Sequence, residues 1–224
     1  SLTVPYDYGA NITVLQTGEV IKAYPLWPNL VETCAIPPEG IEGPMIYGGD
    51  GYLRDYHDRI DGSIVLMNFD SWDRWTYATE FGAKAVIFIE KETTNVDAAL
   101  KTLSIPLDFP RLYVTREDGG RLLNLTKEHG TLSVNVKSLM IYERRKGINV
   151  VGYVNGSDPQ LAQEIVVLSA YYDSISIVPS LSPGAEEAVG ISILLELARY
   201  FAQDPPKRTV LFLALSGHNQ ALAG

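Results

Sequence analysis

The residues able to do chemistry are few, and most of them fall in the last third of the chain. Ser169, Ser174, Ser182 and Ser216 lie near histidine or carboxylates, and Leu215-Ser216-Gly217-His218 sets a serine two residues before a histidine. A serine becomes a nucleophile when a base and an orienting acid converge on it in space. Two-residue spacing does not establish that, and there is no Gly-x-Ser-x-Gly turn. Cys34 is the single cysteine, which excludes an internal disulfide framework and a cysteine-rich zinc site. Three histidines leave little room for a histidine-built metal site. Gly48-Gly49-Asp50-Gly51 lacks the lysine of a phosphate loop and the third glycine and following helix of a dinucleotide fold. Trp27, Trp72, Trp75, Tyr142 and Tyr153 could contribute to a binding face, although core or loop packing is the favoured role for each.

The charge balance narrows the partners. Lys plus Arg is 18 and Asp plus Glu is 27, a net charge of −9, and no basic block exceeds Glu143-Arg144-Arg145-Lys146. Binding a phosphate backbone needs concentrated positive charge, so nucleic acid is excluded as a partner. The apolar runs fall far short of the roughly 20 residues that span a bilayer. Asn11, Asn124 and Asn155 each open an Asn-x-Ser/Thr sequon and are candidate glycosylation sites if the chain enters a secretory pathway.

These groups must be positioned by elements that the pattern makes legible. Short strands are expected at residues 13–15 and 19–24 about the Thr17-Gly18 turn, and at Met45-Ile46-Tyr47 between loops. From Asp61-Gly62 the order becomes regular: a β-branched strand over 63–68, a helix over 72–81 stopped by Gly82, and a strand over 83–89. That is a compact β-α-β crossover. Ile105-Pro106 reads as an edge and 112–115 as a strand, followed by a helix over 116–127 and an alternating strand over 132–136. A second unit starts near Gly147, with strands over 149–154 and 164–170. The helix over 188–201 carries Ile191, Leu194, Leu195, Ala198 and Phe201 on one face. Residues 209–215 form a nearly continuous apolar strand of the kind buried on both sides of a sheet.

This series resembles the M28 family of zinc aminopeptidases and carboxypeptidases, in the members that carry a protease-associated domain. Asp61-Gly-Ser-Ile-Val-Leu-Met67, Tyr77-Ala78 and Phe81-Gly-Ala-Lys-Ala-Val-Ile87 are similar to the core pattern of that domain, with Ile105-Pro106 and Leu122-Leu123 in its later half. Asn149-Val-Val-Gly-Tyr-Val154, Ile165-Val-Val-Leu-Ser-Ala-Tyr-Tyr-Asp-Ser174, Ser182-Pro-Gly-Ala-Glu-Glu-Ala-Val-Gly190 and Arg208-Thr-Val-Leu-Phe-Leu-Ala214 follow the order of the peptidase domain. The resemblance implies an α/β fold: lead-in strands over 1–34, a protease-associated-like domain over 35–137, and over 147–224 the N-terminal portion of a zinc-exopeptidase-like domain with a mostly parallel central sheet. In relatives that domain is more than twice as long. The strand at 209–215 is therefore expected to need cover from a further segment or another chain.

The resemblance also implies where a metal site would be. Family members read His-Tyr-Asp-Ser after the second strand, the histidine binding zinc and the aspartate orienting it. Here Tyr171 takes the histidine position while Tyr172, Asp173 and Ser174 match. A phenol is protonated near neutral pH and is a poor substitute for imidazole. Glu186 takes the place of the aspartate that bridges two zincs, in a loop one residue shorter; the plainer reading makes Glu186 and Glu187 acids favoured at a helix start. His218 and Asn219 occupy the positions of the general base and the next metal ligand, both glutamates in the family. The last two family ligands have their places beyond residue 224.

The sequence thus reads as a non-catalytic M28-like protein, a structural or interaction module whose partner is another protein chain or a peptide, with no cofactor expected. The competing reading is a zinc-dependent exopeptidase completed by sequence beyond residue 224. An extracellular or secretory-lumen location is favoured over a cytoplasmic one.

Overall fold

The computed structural model describes residues 1–56, 60–91, 98–181 and 187–219. They divide into two compact units: Pro5–Tyr142 with Ser176–Leu181, and Ser1–Val4 with Glu143–Ile175 and the described part of 182–224.

In the first unit, seven strands close into a barrel: β1 (Leu2–Val14), β2 (Val20–Pro25), β3 (Ile41–Tyr47), β4 (Ile64–Asn68), β5 (Ala85–Ile89), β6 (Arg111–Val114) and β7 (Leu132–Arg145). Their order around the barrel is β1-β2-β6-β5-β4-β3-β7. The pairs β3/β4, β4/β5 and β5/β6 are parallel, whereas β1/β2, β2/β6 and β3/β7 are antiparallel. The unbroken apolar runs of β4 and β5 follow from burial on both faces. Ile64, Leu66, Ala85 and Ile87 point into one core cluster with Ile12, Met45, Leu112 and Val134. Val65, Met67, Val86 and Phe88 point into another with Trp75, Phe69, Phe109 and Tyr113.

Among the described residues this unit carries three α-helices: α1 (Leu53–Tyr56), α2 (Trp75–Glu80) and α3 (Arg116–His129). α3 is capped by Thr115, whose side chain accepts from Asp118 N–H, and its Leu122 and Leu125 are buried. α2 stops where expected, at Gly82: the backbone there has φ +84°, and a Cβ would lie 2.3 Å from Asp61 Oδ1. It starts later than expected, at Trp75, because Trp72 takes a left-handed φ of 52° that no helix accommodates. Lys101, fully buried, fixes that turn by donating to the Trp72 carbonyl and to Ser71 Oγ.

Three expectations need correction. The strands of residues 1–34, read as a lead-in, are barrel strands, because their alternating apolar side (Ile12, Val14, Ile21, Ala23) faces the same core as β4 and β5. The strand expected over 132–136 continues to Arg145, with Ser138 and Met140 still buried between exposed Lys137, Leu139 and Ile141. Ile105-Pro106 is not an edge strand, and Ile105 is exposed.

The second unit is a mixed three-stranded sheet of β8 (Val150–Val154), β9 (Ile165–Tyr171) and β10 (Thr209–Leu215), in the order β8-β10-β9. β10 is antiparallel to β8 and parallel to β9. Helix α4 (Glu187–Gln203) lies between β9 and β10 in the chain. It packs Leu194, Ile191, Ala198 and Phe201 against Val210, Phe212, Leu168 and Ala170. Leu195, expected on that face, is 64% exposed. The opposite sheet side carries Val151, Tyr153, Ile165 and Val167, all exposed among the described residues.

Candidate functional site

β9 and β10 run parallel and end in register, Leu215 opposite Tyr171, so the turns after them leave the same end of the sheet. In open α/β sheets that carboxyl end is where ligands are bound. One turn carries Tyr171-Tyr172-Asp173-Ser174 and the other Ser216-Gly217-His218-Asn219, which brings Tyr171, Asp173 and His218 together.

Their arrangement is specific. The rings of Tyr171 and His218 stack with centroids 3.9 Å apart and planes 12° from parallel. Asp173 Oδ1 accepts from the His218 backbone N–H at 3.3 Å, so this carboxylate orders the turn through its main chain. Tyr172 N–H donates to the Leu215 carbonyl at 3.0 Å, and its phenol donates to the Ile148 carbonyl. Ser216 is buried, and both its N–H and its hydroxyl bond Asn149 Oδ1, at 2.9 and 3.3 Å. The hydroxyl is thereby directed to an amide oxygen, and the Ser216-Gly217-His218 sequence is a turn, not a nucleophile and base. Asn219 is exposed. Glu186 lies outside the described residues, as does the side chain of Glu187 at the start of α4.

The described positions do not fit a zinc ion. Tyr171 offers a phenol and Asn219 an amide, and the one imidazole has its face against the phenol ring. Among the described residues no three His, Cys, Asp or Glu side chains cluster as a metal centre would require.

The barrel has its own candidate site at the carboxyl ends of β4 and β5. A cleft of about 520 Å³ is lined by Asp50, Asn68, Asp70, Trp72, Glu90 and Lys91, among others. Asn68 Nδ2 donates to Asp50 Oδ1 at 2.7 Å, Arg74 Nε donates to the Asp50 carbonyl at 2.7 Å, and Lys91 pairs with Asp70. The Gly48-Gly51 loop thus serves to place Asp50. Sequence reasoning missed two cations that are buried in this unit among the described residues, Lys101 and Arg111. Arg111 donates to the carbonyls of Lys101 and Trp27, the latter at 2.9 Å, and lies over the Trp75 ring. Burial lowers its pKa, with the neighbouring Cys34 acting in the opposite direction. Composition gives no sign that a lysine and an arginine are interior.

The other candidate aromatics separate. Trp75 is fully buried and stacked on Phe109, Trp27 is half-buried, and Tyr142 bonds the Leu30 carbonyl at 2.6 Å, whereas Trp72 and Tyr153 are exposed. Of the sequons, Asn11 is half-buried within β1, Asn124 is exposed on α3, and Asn155 is exposed after β8.

Residues 149–224 match the model of peptidase family M28, in agreement with the resemblance drawn from the sequence of that segment. The chain is 25% identical over 190 residues to aminopeptidase YwaD of Bacillus subtilis, an alignment covering 83% of this chain and 39% of that protein. It is 40% identical over 81 residues to a vacuolar membrane protease of Candida dubliniensis, covering 33% of this chain and 8% of the other. Among solved structures it is similar in fold to BSAP, a zinc aminopeptidase from Bacillus subtilis, with a TM-score of 0.56 and 20% identity. That match covers 95% of this chain and 50% of the other. The chain therefore spans half or less of the length of these relatives.

Proposed function

We propose that this chain is a peptidase-M28-like protein that does not hydrolyse peptides. It serves instead as a structural or interaction module that comprises a protease-associated-like barrel and a peptidase-like sheet, with a protein chain or peptide as its partner. The observation that carries this reading is the Tyr171–His218 stack. Two positions where the family places a ligand and a base are used here to pack one turn on the other. The donors at the described positions, a phenol, an amide and a stacked imidazole, do not suit zinc. Calorimetric titration of the folded chain with zinc tests the proposal: no tight stoichiometric binding is expected. Tight binding lost on His218→Ala substitution would overturn it.

The second reading, a zinc-dependent exopeptidase completed by sequence outside these residues, is supported by the printed names of the relatives, a zinc aminopeptidase among them. Chelator-sensitive release of N-terminal residues from aminoacyl substrates by the longest reading frame would establish it. Under either reading the chain resides outside the cytoplasm, and Asn11, Asn124 and Asn155 are candidate carriers of glycans. The vacuolar membrane protease among the relatives supports that location. Among the described residues no helix is long and apolar enough to cross a membrane.

A further inference from the structure

The barrel cleft at the carboxyl ends of β4 and β5 holds more acceptor than its neighbours satisfy. Its volume of about 520 Å³ falls within the range of ligand pockets, about 300–1,000 Å³. Asp50, Asp70 and Glu90 line it against the one ammonium of Lys91, so the described lining is net negative. Two of these carboxylates are partly engaged. Asp50 Oδ1 accepts from Asn68 Nδ2 at 2.7 Å, and Glu90 Oε2 accepts from the Arg116 N–H at 3.0 Å. Asp70 differs: its Oδ2 meets Lys91, while its Oδ1 is buried and has no hydrogen-bond partner among the described residues. A buried charged acceptor left unpaired is costly, so this atom calls for a donor.

The walls around it are apolar in part and fixed from behind. Phe69 and Ile89 are buried in the lining, and the Phe69 N–H donates to the Ile89 carbonyl at 3.0 Å. The Asn68 N–H donates to the Gly49 carbonyl at 2.8 Å, which ties the end of β4 to the loop that carries Asp50. Arg74 holds the same loop: its Nε donates to the Asp50 carbonyl at 2.7 Å and its guanidinium lies 4.2 Å from the centre of the Tyr52 ring. Trp72 lines the cleft with its side chain 57% exposed, on the turn that buried Lys101 fixes through the Trp72 carbonyl and Ser71 Oγ. Groups held in place before a ligand arrives lower the ordering cost of binding.

We propose that this cleft binds an alkyl-linked cation, a guanidinium or primary ammonium group, whose N–H donors meet Asp70 and Asp50 and whose stem lies along the Trp72 indole. A cation placed between a carboxylate and an indole gains a charge-assisted hydrogen bond and a cation–π contact together. Lys91 shows the same taste within the chain: its ammonium already pairs with Asp70 from an exposed position, so it competes with an incoming cation. A metal ion is a poorer occupant. Among the described residues no three His, Cys, Asp or Glu side chains are grouped to hold one, and the Lys91 ammonium would oppose it. Arginine or lysine side chains of a peptide and small free amines share the chemistry the cleft selects. The site lies wholly within the barrel unit and stands whether or not the peptidase-like sheet binds zinc.

Chemical-shift titration of the isotope-labelled full chain tests the site. The probes are acetyl-Gly-Arg-Gly-amide, its citrulline counterpart as an uncharged control of nearly the same shape, and argininamide. The arginine tripeptide should shift the amides of 50, 68–72 and 89–91 saturably and bind at least about tenfold more tightly than the citrulline one. Asp70→Asn should weaken its binding by about tenfold and Trp72→Ala by about threefold. Lys91→Gln, at an exposed side chain, should tighten it by about threefold, because the internal competitor is gone; this variant keeps the test decisive if Asp70→Asn disturbs the fold. The source of the cation is a peptide if the tripeptide binds more tightly than argininamide and a free amine if it does not; both results support the site. The proposal is refuted if the arginine and citrulline tripeptides bind alike, if the shifts fall away from the cleft, or if Lys91→Gln weakens binding.

Discussion

The stack of Tyr171 on His218 can be weighed directly by a double-mutant cycle. Tyr171→Ala, His218→Ala and the double variant remove the contact from each side, and the non-additive part isolates the pair. Aromatic pairs contribute about 0.5–1.5 kcal/mol beyond the area they bury. Here the rings lie at 3.9 Å and 12°, a close and nearly parallel arrangement, but His218 is exposed and Tyr171 half-buried. A coupling of about 1 kcal/mol is therefore expected, equivalent to about a fivefold change in a local opening constant. The readout is native-state exchange at the amides of 171–173 and 216–218, which follow the two turns and not global unfolding. Each single variant should accelerate exchange there, and the second substitution should add about fivefold less than it does alone. Additivity within about 0.3 kcal/mol would mean the rings do not hold each other. His218 would then be available to a ligand, and the two positions would not be packing residues.

Two further outcomes follow from the barrel. Trp75→Ala should destabilise it by about 3–5 kcal/mol, a large share of a typical 5–15 kcal/mol, because the side chain is fully buried and its N–H bonds the Leu100 carbonyl at 2.8 Å. Trp75→Phe should cost about 1 kcal/mol in the same calorimetric scan, since it keeps a ring and loses the bond. Burial pushes the Tyr56 phenol up to about 12, so the folded barrel retains that proton after the unfolded chain has lost it near pH 10. Stability from this group is complete below about pH 10 and declines as pH rises toward about 12. Absorbance titration at alkaline pH should show a late phenolate component that Tyr56→Phe removes.

What could be read from sequence was what repeats. The runs of β4, β5 and β10 and the threefold and fourfold spacing of α4 gave correct elements, because burial on a face imposes a period. Closure of the barrel was not legible: it depends on β1 and β7 finding places in a ring, which no local pattern specifies. The extra length of β7 was hidden because Glu143-Arg144-Arg145 look like a linker while their backbone continues the strand. At the site, the family order singles out Tyr171, Asp173 and His218 as positions to compare. That an aromatic and an imidazole would lie face to face was not legible, since it requires the registry of β9 against β10. Buried Lys101 and Arg111 were missed for the opposite reason: their charge predicts the surface, and only carbonyls converging on them keep them inside.

The return of the chain to the barrel at Val178 also bears on the order in which the molecule can be made. Synthesis proceeds from the N-terminus, and domains generally fold as they emerge. The barrel strands are all translated by Arg145, yet Ile177 and Val178 of the barrel's second apolar cluster arrive only after β8 and β9 have followed. Until then the nascent barrel exposes the seat of Val178 and leaves Trp27 N–H without the Ile177 carbonyl that later accepts from it. A boundary drawn at Tyr142 would separate the barrel from that late residue, so the two units are not independent cassettes to be cut and recombined at one point.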